Sequence, residues 1–99
     1  MDPFNFHIEI EQIRKEKDRA RLLRATQWWK RKIAKGICYY CKNPVKPKDL
    51  TMDHIVPVSR GGLSTKGNVV PTCKMCNNKK KQLLTMEWDQ YLKQISEKE

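Results

Sequence analysis

Residues 8–35 contain neither proline nor glycine and are mostly good helix formers, with acid-to-base pairs at helical spacing such as Glu11/Lys15, Glu16/Arg19 and Asp18/Arg21. The pattern predicts one long helix, straight or kinked. Its second half carries an apolar stripe at Leu22, Ala25 or Thr26, Trp29 and Ile33, while its first half is polar nearly all round, so only the second half is expected to dock firmly. Gly36 stops the helix, and residues 37–47, with Asn43-Pro44 and Pro47, read as a knuckle and turn. Residues 50–58 predict a short strand with Pro57 near its end, Ser59-Arg60-Gly61-Gly62 a flexible loop, and residues 67–72 a second strand. The two strands frame a hairpin-like unit that returns directly into Cys73, and residues 77–84 follow as a short helix. Thr85 is placed to cap a last helix, whose Trp88, Tyr91, Leu92 and Ile95 fall at i, i+3, i+4 and i+7 and form a core-facing stripe.

Ninety-nine residues suffice for one domain with a modest core, and folds of this size usually need a staple. The four cysteines supply one, arranged as two hooks, Cys38/Cys41 and Cys73/Cys76. The amino terminus lacks a basic-then-apolar signal and no stretch has the length of a membrane span, so the expected location is the cytoplasm and no membrane partner is expected. In a reducing compartment, paired thiols at this spacing are more often metal ligands than disulfides. Four thiolates suit tetrahedral Zn2+ in a structural role, since such an ion keeps no open position at which to activate water. A thioredoxin-like redox pair competes, but the chain lacks the alternating strands and helices of that fold.

Lysine and arginine total 21 against 11 acidic residues, a formal charge of +10. The partner such a surface attracts is a polyanion, and phosphate contacts with counterion release make nucleic acid the natural one. The basic run containing Arg14, Lys15, Arg19, Arg21, Arg24, Lys30, Arg31 and Lys32 reads equally well as a solvated helix face.

Between and after the hooks stand Asp53-His54, Asn68 and Asn77, in a unit with few other groups able to do acid–base work. Hydrolysis of a phosphodiester needs a base to deprotonate water and a cation to offset charge on the phosphate and leaving oxygen. A neutral histidine answers the first need. The Asp53 carboxylate and the Asn77 amide carbonyl are hard oxygen ligands suited to Mg2+ or Mn2+. Singly, each residue has a plain structural reading: a packed histidine at a strand end, a helix-capping Asn77, a turn-forming Asn68 beside Gly67. Their combination inside one metal-clamped unit of a basic chain is what points to a site.

The elements Cys38-x-x-Cys41, Asp53-His54-Ile55-x-Pro57, Arg60-Gly61-Gly62, Asn68-Val69-Val70 and Cys73-x-x-Cys76-Asn77-x-x-Lys80 resemble the HNH endonuclease pattern in order and spacing, over residues 36–91. The resemblance implies a ββα-metal centre inside a zinc-binding frame. It implies His54 as general base, Asp53 and Asn77 as ligands of the catalytic divalent metal, and Asn68 as the residue that orders the loop. Many relatives have histidine at the position of Asn77, and the amide oxygen here favours Mg2+ or Mn2+ over a transition metal.

The expected fold is therefore α+β: a basic N-terminal helical segment, residues 1–35, followed by a zinc-clamped HNH domain, residues 36–95, with a C-terminal helix packed back onto it. The expected activity is metal-dependent hydrolysis of double-stranded DNA with little sequence preference, Arg60, Lys79, Lys80 and Lys81 meeting phosphates. A non-catalytic zinc-ribbon module that binds nucleic acid without cutting is the alternative, and a protein-interaction domain anchored by Trp28 and Trp29 is a third reading.

Overall fold

The computed structural model describes residues 3–97. It is an α+β fold of four helices, α1 (Pro3–Arg24), α2 (Gln27–Ala34), α3 (Lys74–Gln82) and α4 (Thr85–Glu97), around one antiparallel hairpin, β1 (Thr51–His54) and β2 (Val69–Thr72). No helix among the described residues is long and apolar enough to cross a membrane.

The expected single N-terminal helix is two helices, and Thr26 is the reason. Its backbone is extended (φ −79°, ψ 154°), its hydroxyl accepts from the Trp29 N–H at 3.2 Å, and the same hydroxyl donates to the Leu23 carbonyl at 2.7 Å. One threonine thus ends α1 and caps α2, satisfying backbone groups on both sides of the break. The bend turns Trp29 into the core while leaving Leu22, an expected stripe position, 65% exposed. Docking of α1 also departs from expectation. Its polar half carries the buried Glu16 and Ala20, which pack by the turn formed by Val58–Arg60.

β1 is shorter than the apolar run suggested: the Ile55 N–H still donates to the Asn68 carbonyl at 2.8 Å, but Pro57 then starts that tight turn and takes residues 56–58 out of the ladder. The register pairs Thr51 with Thr72, Met52 with Pro71, Asp53 with Val70 and His54 with Val69. Proline is tolerated in β2 because a two-stranded hairpin has only edge strands, and the Pro71 carbonyl still accepts from the Tyr39 N–H at 2.9 Å. Successive side chains of β1 point to opposite faces, so Thr51 and Asp53 share one face and His54 takes the other. Gly62 lets the loop fold back on itself: a Cβ there would lie 1.8 Å from the Val56 carbonyl oxygen.

α3 begins three residues earlier than the pattern suggested, because the Cys73 thiol sits at its N-cap and accepts from the Cys76 N–H at 3.4 Å. Asn77 therefore stands inside the helix rather than capping it. At α4 the cap is also displaced. The Leu84 N–H donates to the Glu87 carboxylate at 3.0 Å while the Leu84 carbonyl accepts from Trp88, which makes Thr85 the first helical residue. Trp88 packs with Cys38 and Cys76, stacks on Tyr91 and meets Tyr40 edge-on, as the apolar stripe required.

Candidate active site and metal frame

The two cysteine hooks meet. Cys38 and Cys41 come from the knuckle after α2, Cys73 and Cys76 from the start of α3, and the four sulfurs all lie within 4.8 Å of one another. Tetrahedral ligands at a zinc–sulfur distance of about 2.3 Å stand roughly 3.8 Å apart, and Cys41 and Cys73 are separated by 3.9 Å. Burial works to raise the Cys38 thiol, but backbone N–H groups of Cys73, Cys41 and Tyr40 aimed at its sulfur outweigh it and bring it down to about 7. Cys41 and Cys76 are pushed up, by burial first and then by hydrogen bonding to neighbouring sulfurs and by their charge, with the Asn43 backbone N–H working against the rise at Cys41. Four thiolates this close need a cation to be ionised together, and the donor set suits a structural metal such as zinc.

The hairpin held by this frame delivers Asp53 and His54 at the end of β1, while Asn77 and Lys80, one turn apart on α3, face the strand. The Asn77 amide donates to Thr51 Oγ1 at 3.4 Å. Asp53 Oδ2 accepts from Tyr40 Oη at 2.7 Å and from Lys80 Nζ at 2.6 Å. Among the described residues no donor reaches Asp53 Oδ1 or Asn77 Oδ1, and neither oxygen is buried without a partner, so both are open to solvent. Two hard oxygens at the rim of one cleft are ligands a divalent cation accepts.

That cleft, about 690 Å³, is lined by Asp53, His54 and Asn77 together with Arg60 and Lys81. Lys79, one helical step off this face, does not line it. Lys80, expected to meet phosphate, instead turns inward: its ammonium lies 2.5–3.2 Å from four oxygens, those of Asp53, Tyr40 and the His54 and Ile55 carbonyls. Its place beside Asn77 on the strand-facing side of α3 is the cause.

His54 lies across the strand from the α3 side. Its Nε2 is 2.9 Å from Ser64 Oγ, and burial holds the imidazole below its ordinary pKa, with Asp53 pulling it back up and Lys80 pushing it down. The ring is therefore neutral near neutral pH, the form a base requires. Asn68 ties the loop beyond it. Its Oδ1 accepts from the Val56 N–H at 2.9 Å, and its Nδ2 donates to the carbonyls of Val56 at 3.1 Å and Leu63 at 2.8 Å.

The HNH endonuclease family model matches residues 38–92, which span the frame, the hairpin, α3 and most of α4. The chain belongs to the HNH endonuclease family. Within it, 44 residues are 41% identical to a CRISPR-associated endonuclease Cas9 of Corynebacterium diphtheriae, a match that covers 43% of this HNH chain and 4% of that protein. The chain thus corresponds to a small part of that relative's length.

Sequence reasoning missed Tyr40, Lys17 and Ser64, whose hydroxyl meets His54. Tyr40 lies within the first cysteine hook, where an aromatic reads as core filling, yet its hydroxyl holds Asp53, and burial together with that bond keeps it protonated. Lys17 reaches the cleft from α1, and nothing in a helix with charges on every side marks it out. The tryptophan-anchored interaction reading is not supported, since Trp29 is buried in the core and Trp28 is half-covered, with the Lys32 and Lys66 ammonium groups over its ring.

Proposed function

We propose that this chain hydrolyses phosphodiester bonds in double-stranded DNA with little sequence preference, using His54 to take a proton from the attacking water. The observation that carries the reading is the convergence of Asp53, His54 and Asn77 with Arg60 and Lys81 on one open cleft of a chain with net charge +10. Asp53 and Asn77 would hold Mg2+ or Mn2+ through their open oxygens. A cation there supplies positive charge against the scissile phosphate and the leaving oxygen. Tyr40 and Lys80 fix the Asp53 carboxylate so that its second oxygen keeps one direction. Asn68 holds the loop next to the base, and Arg60, Lys79 and Lys81 contact backbone phosphates. Zinc in the four-cysteine frame clamps the hairpin and takes no part in the chemistry.

The test is incubation with supercoiled plasmid and Mg2+ or Mn2+, comparing the natural chain with His54→Ala. The variant is expected to stay folded and bind DNA while cleavage falls by about 10²- to 10⁴-fold, and affinity for unrelated duplexes should fall steeply with added salt. A His54→Ala chain that cuts at the unaltered rate overturns the mechanism. Binding without any cleavage by the natural chain points instead to the non-catalytic module.

A further inference from the structure

Glu16 is the one charged residue among the described residues with no exposed surface, and the mechanism above gives it no task. It stands in the polar half of α1, outside the segment that the family pattern covers, and its carboxylate is fully engaged. Oε2 accepts from Arg19 and, at 3.3 Å, from Gln12, while Oε1 accepts from the Ser64 backbone N–H at 2.6 Å. The Glu16 main-chain carbonyl takes a second hold, accepting from the Ser64 hydroxyl at 2.6 Å. Ser64 is thus gripped at both its amide and its side chain by one residue of another element.

The grip settles a proton. A serine hydroxyl has a single hydrogen, and a carbonyl oxygen can only accept, so that hydrogen points to Glu16. The Ser64 oxygen therefore meets His54 Nε2, 2.9 Å away, as an acceptor, and Nε2 must carry the imidazole proton. The lone pair is left on Nδ1, which has no partner among the described residues and is not buried. We infer that Glu16 and Ser64 are positioning residues for the base: the α1 helix, through Ser64, selects the Nε2–H tautomer of His54 and so makes Nδ1 the nitrogen that accepts the proton from water. The N-terminal helix then belongs to the catalytic apparatus. This rests on the reading of His54 as the base.

The selection is in place before DNA or a catalytic cation binds, so it is measurable without turnover. The readout is the ¹⁵N shift of both ring nitrogens of His54 in the zinc-loaded 99-residue chain, at a pH where the ring is neutral, with the second histidine assigned by His7→Gln. In the natural chain Nε2 is expected to be protonated and Nδ1 bare. In Ser64→Ala the two nitrogens should average toward a mixture, and single-turnover cleavage should fall about 10-fold, the low end for loss of an outer hydrogen-bond partner, with DNA affinity unchanged. Ser64→Thr keeps the hydroxyl and should restore both signals. Glu16→Gln keeps an oxygen for the Ser64 N–H and the same main-chain carbonyl, so it should retain the tautomer. Ring shifts in Ser64→Ala identical to those of the natural chain overturn the inference, whether or not the cleavage rate falls. If the natural chain does not cut plasmid, the nuclease reading fails while the shifts still decide the tautomer.

Discussion

Replacing Asn68 by aspartate separates shape from hydrogen-bond polarity at the loop beside the site. The amide accepts one bond and donates two, and the donated pair reaches the Val56 and Leu63 carbonyls. Truncation by Asn68→Ala removes all three, each worth about 1 kcal/mol net, and because the residue is only half-buried water recovers part, leaving an expected cost of about 1.5–3 kcal/mol. Asn68→Asp keeps the shape and the acceptor for the Val56 N–H, but sets an anionic oxygen where two carbonyls need a donor. It loses about 2 kcal/mol of donated bonds and adds repulsion, so at neutral pH it is expected to be at least as unstable as Asn68→Ala. Acid reverses this. A protonated carboxyl donates again, so the new group binds its proton more tightly folded than unfolded, and its folded pKa lies above the unfolded value of about 3.9. The deficit should be full above that folded pKa and shrink as pH falls through it. Urea denaturation followed by tryptophan fluorescence at saturating zinc, with the natural chain measured at each pH as baseline, reads both effects. An Asn68→Asp chain more stable than Asn68→Ala at neutral pH, or a deficit that grows on acidification, refutes the reasoning.

Cys73→Ser removes a thiolate from the metal frame while its hydroxyl can still cap α3, so the loss isolates the frame: the fold rather than activity alone should be lost, as read by circular dichroism and elemental analysis; a stable, zinc-free variant would count against the frame. Gly62→Ala would put its Cβ 1.8 Å from the Val56 oxygen and 2.6 Å from the Val56 carbonyl carbon, both backbone atoms. It should cost about 3 kcal/mol or more, whereas Gly61→Ala, with a φ of +90° and open space around it, should cost about 1–2 kcal/mol; equal costs in thermal melts would contradict the geometry. The Ser64 N–H, with help from Arg19 and against burial, holds the Glu16 carboxyl below its ordinary pKa. Its contribution to docking of α1 is therefore present above the unfolded carboxyl value and is lost as pH falls through the lower folded one. Protection of the α1 amides from exchange, taken relative to their intrinsic rates at each pH, should fall in acid, and Glu16→Gln should flatten that part of the pH dependence.

The features carried by spacing along the chain were legible without coordinates. Two hooks of cysteines predict one four-sulfur cluster wherever the chain between them runs, because a metal needs all four donors. The stripe of Trp88, Tyr91, Leu92 and Ile95 predicts a docked helix because burial of an apolar face is its dominant stabilisation. The order of Asp53-His54, Asn68 and Asn77 between and after the hooks named the family that the comparison confirms. Tertiary structure decided the rest, where a residue's role depends on a partner remote in sequence. Glu16 looks like one more solvated charge in a helix that is polar all round, and only the loop 48 residues away, bringing the Ser64 N–H and hydroxyl, makes its burial tolerable. Lys80 looks like its neighbours Lys79 and Lys81 until the rotation of α3 against β1 turns it, and not them, onto Asp53. Thr26 stands on the expected apolar stripe, and only its extended backbone, with the hydroxyl bonded to the Leu23 carbonyl and the Trp29 N–H, shows that it ends one helix and caps the next. Periodicity reports which face of an element is apolar; whether a polar group on that element is solvated or paired depends on what the fold lays against it.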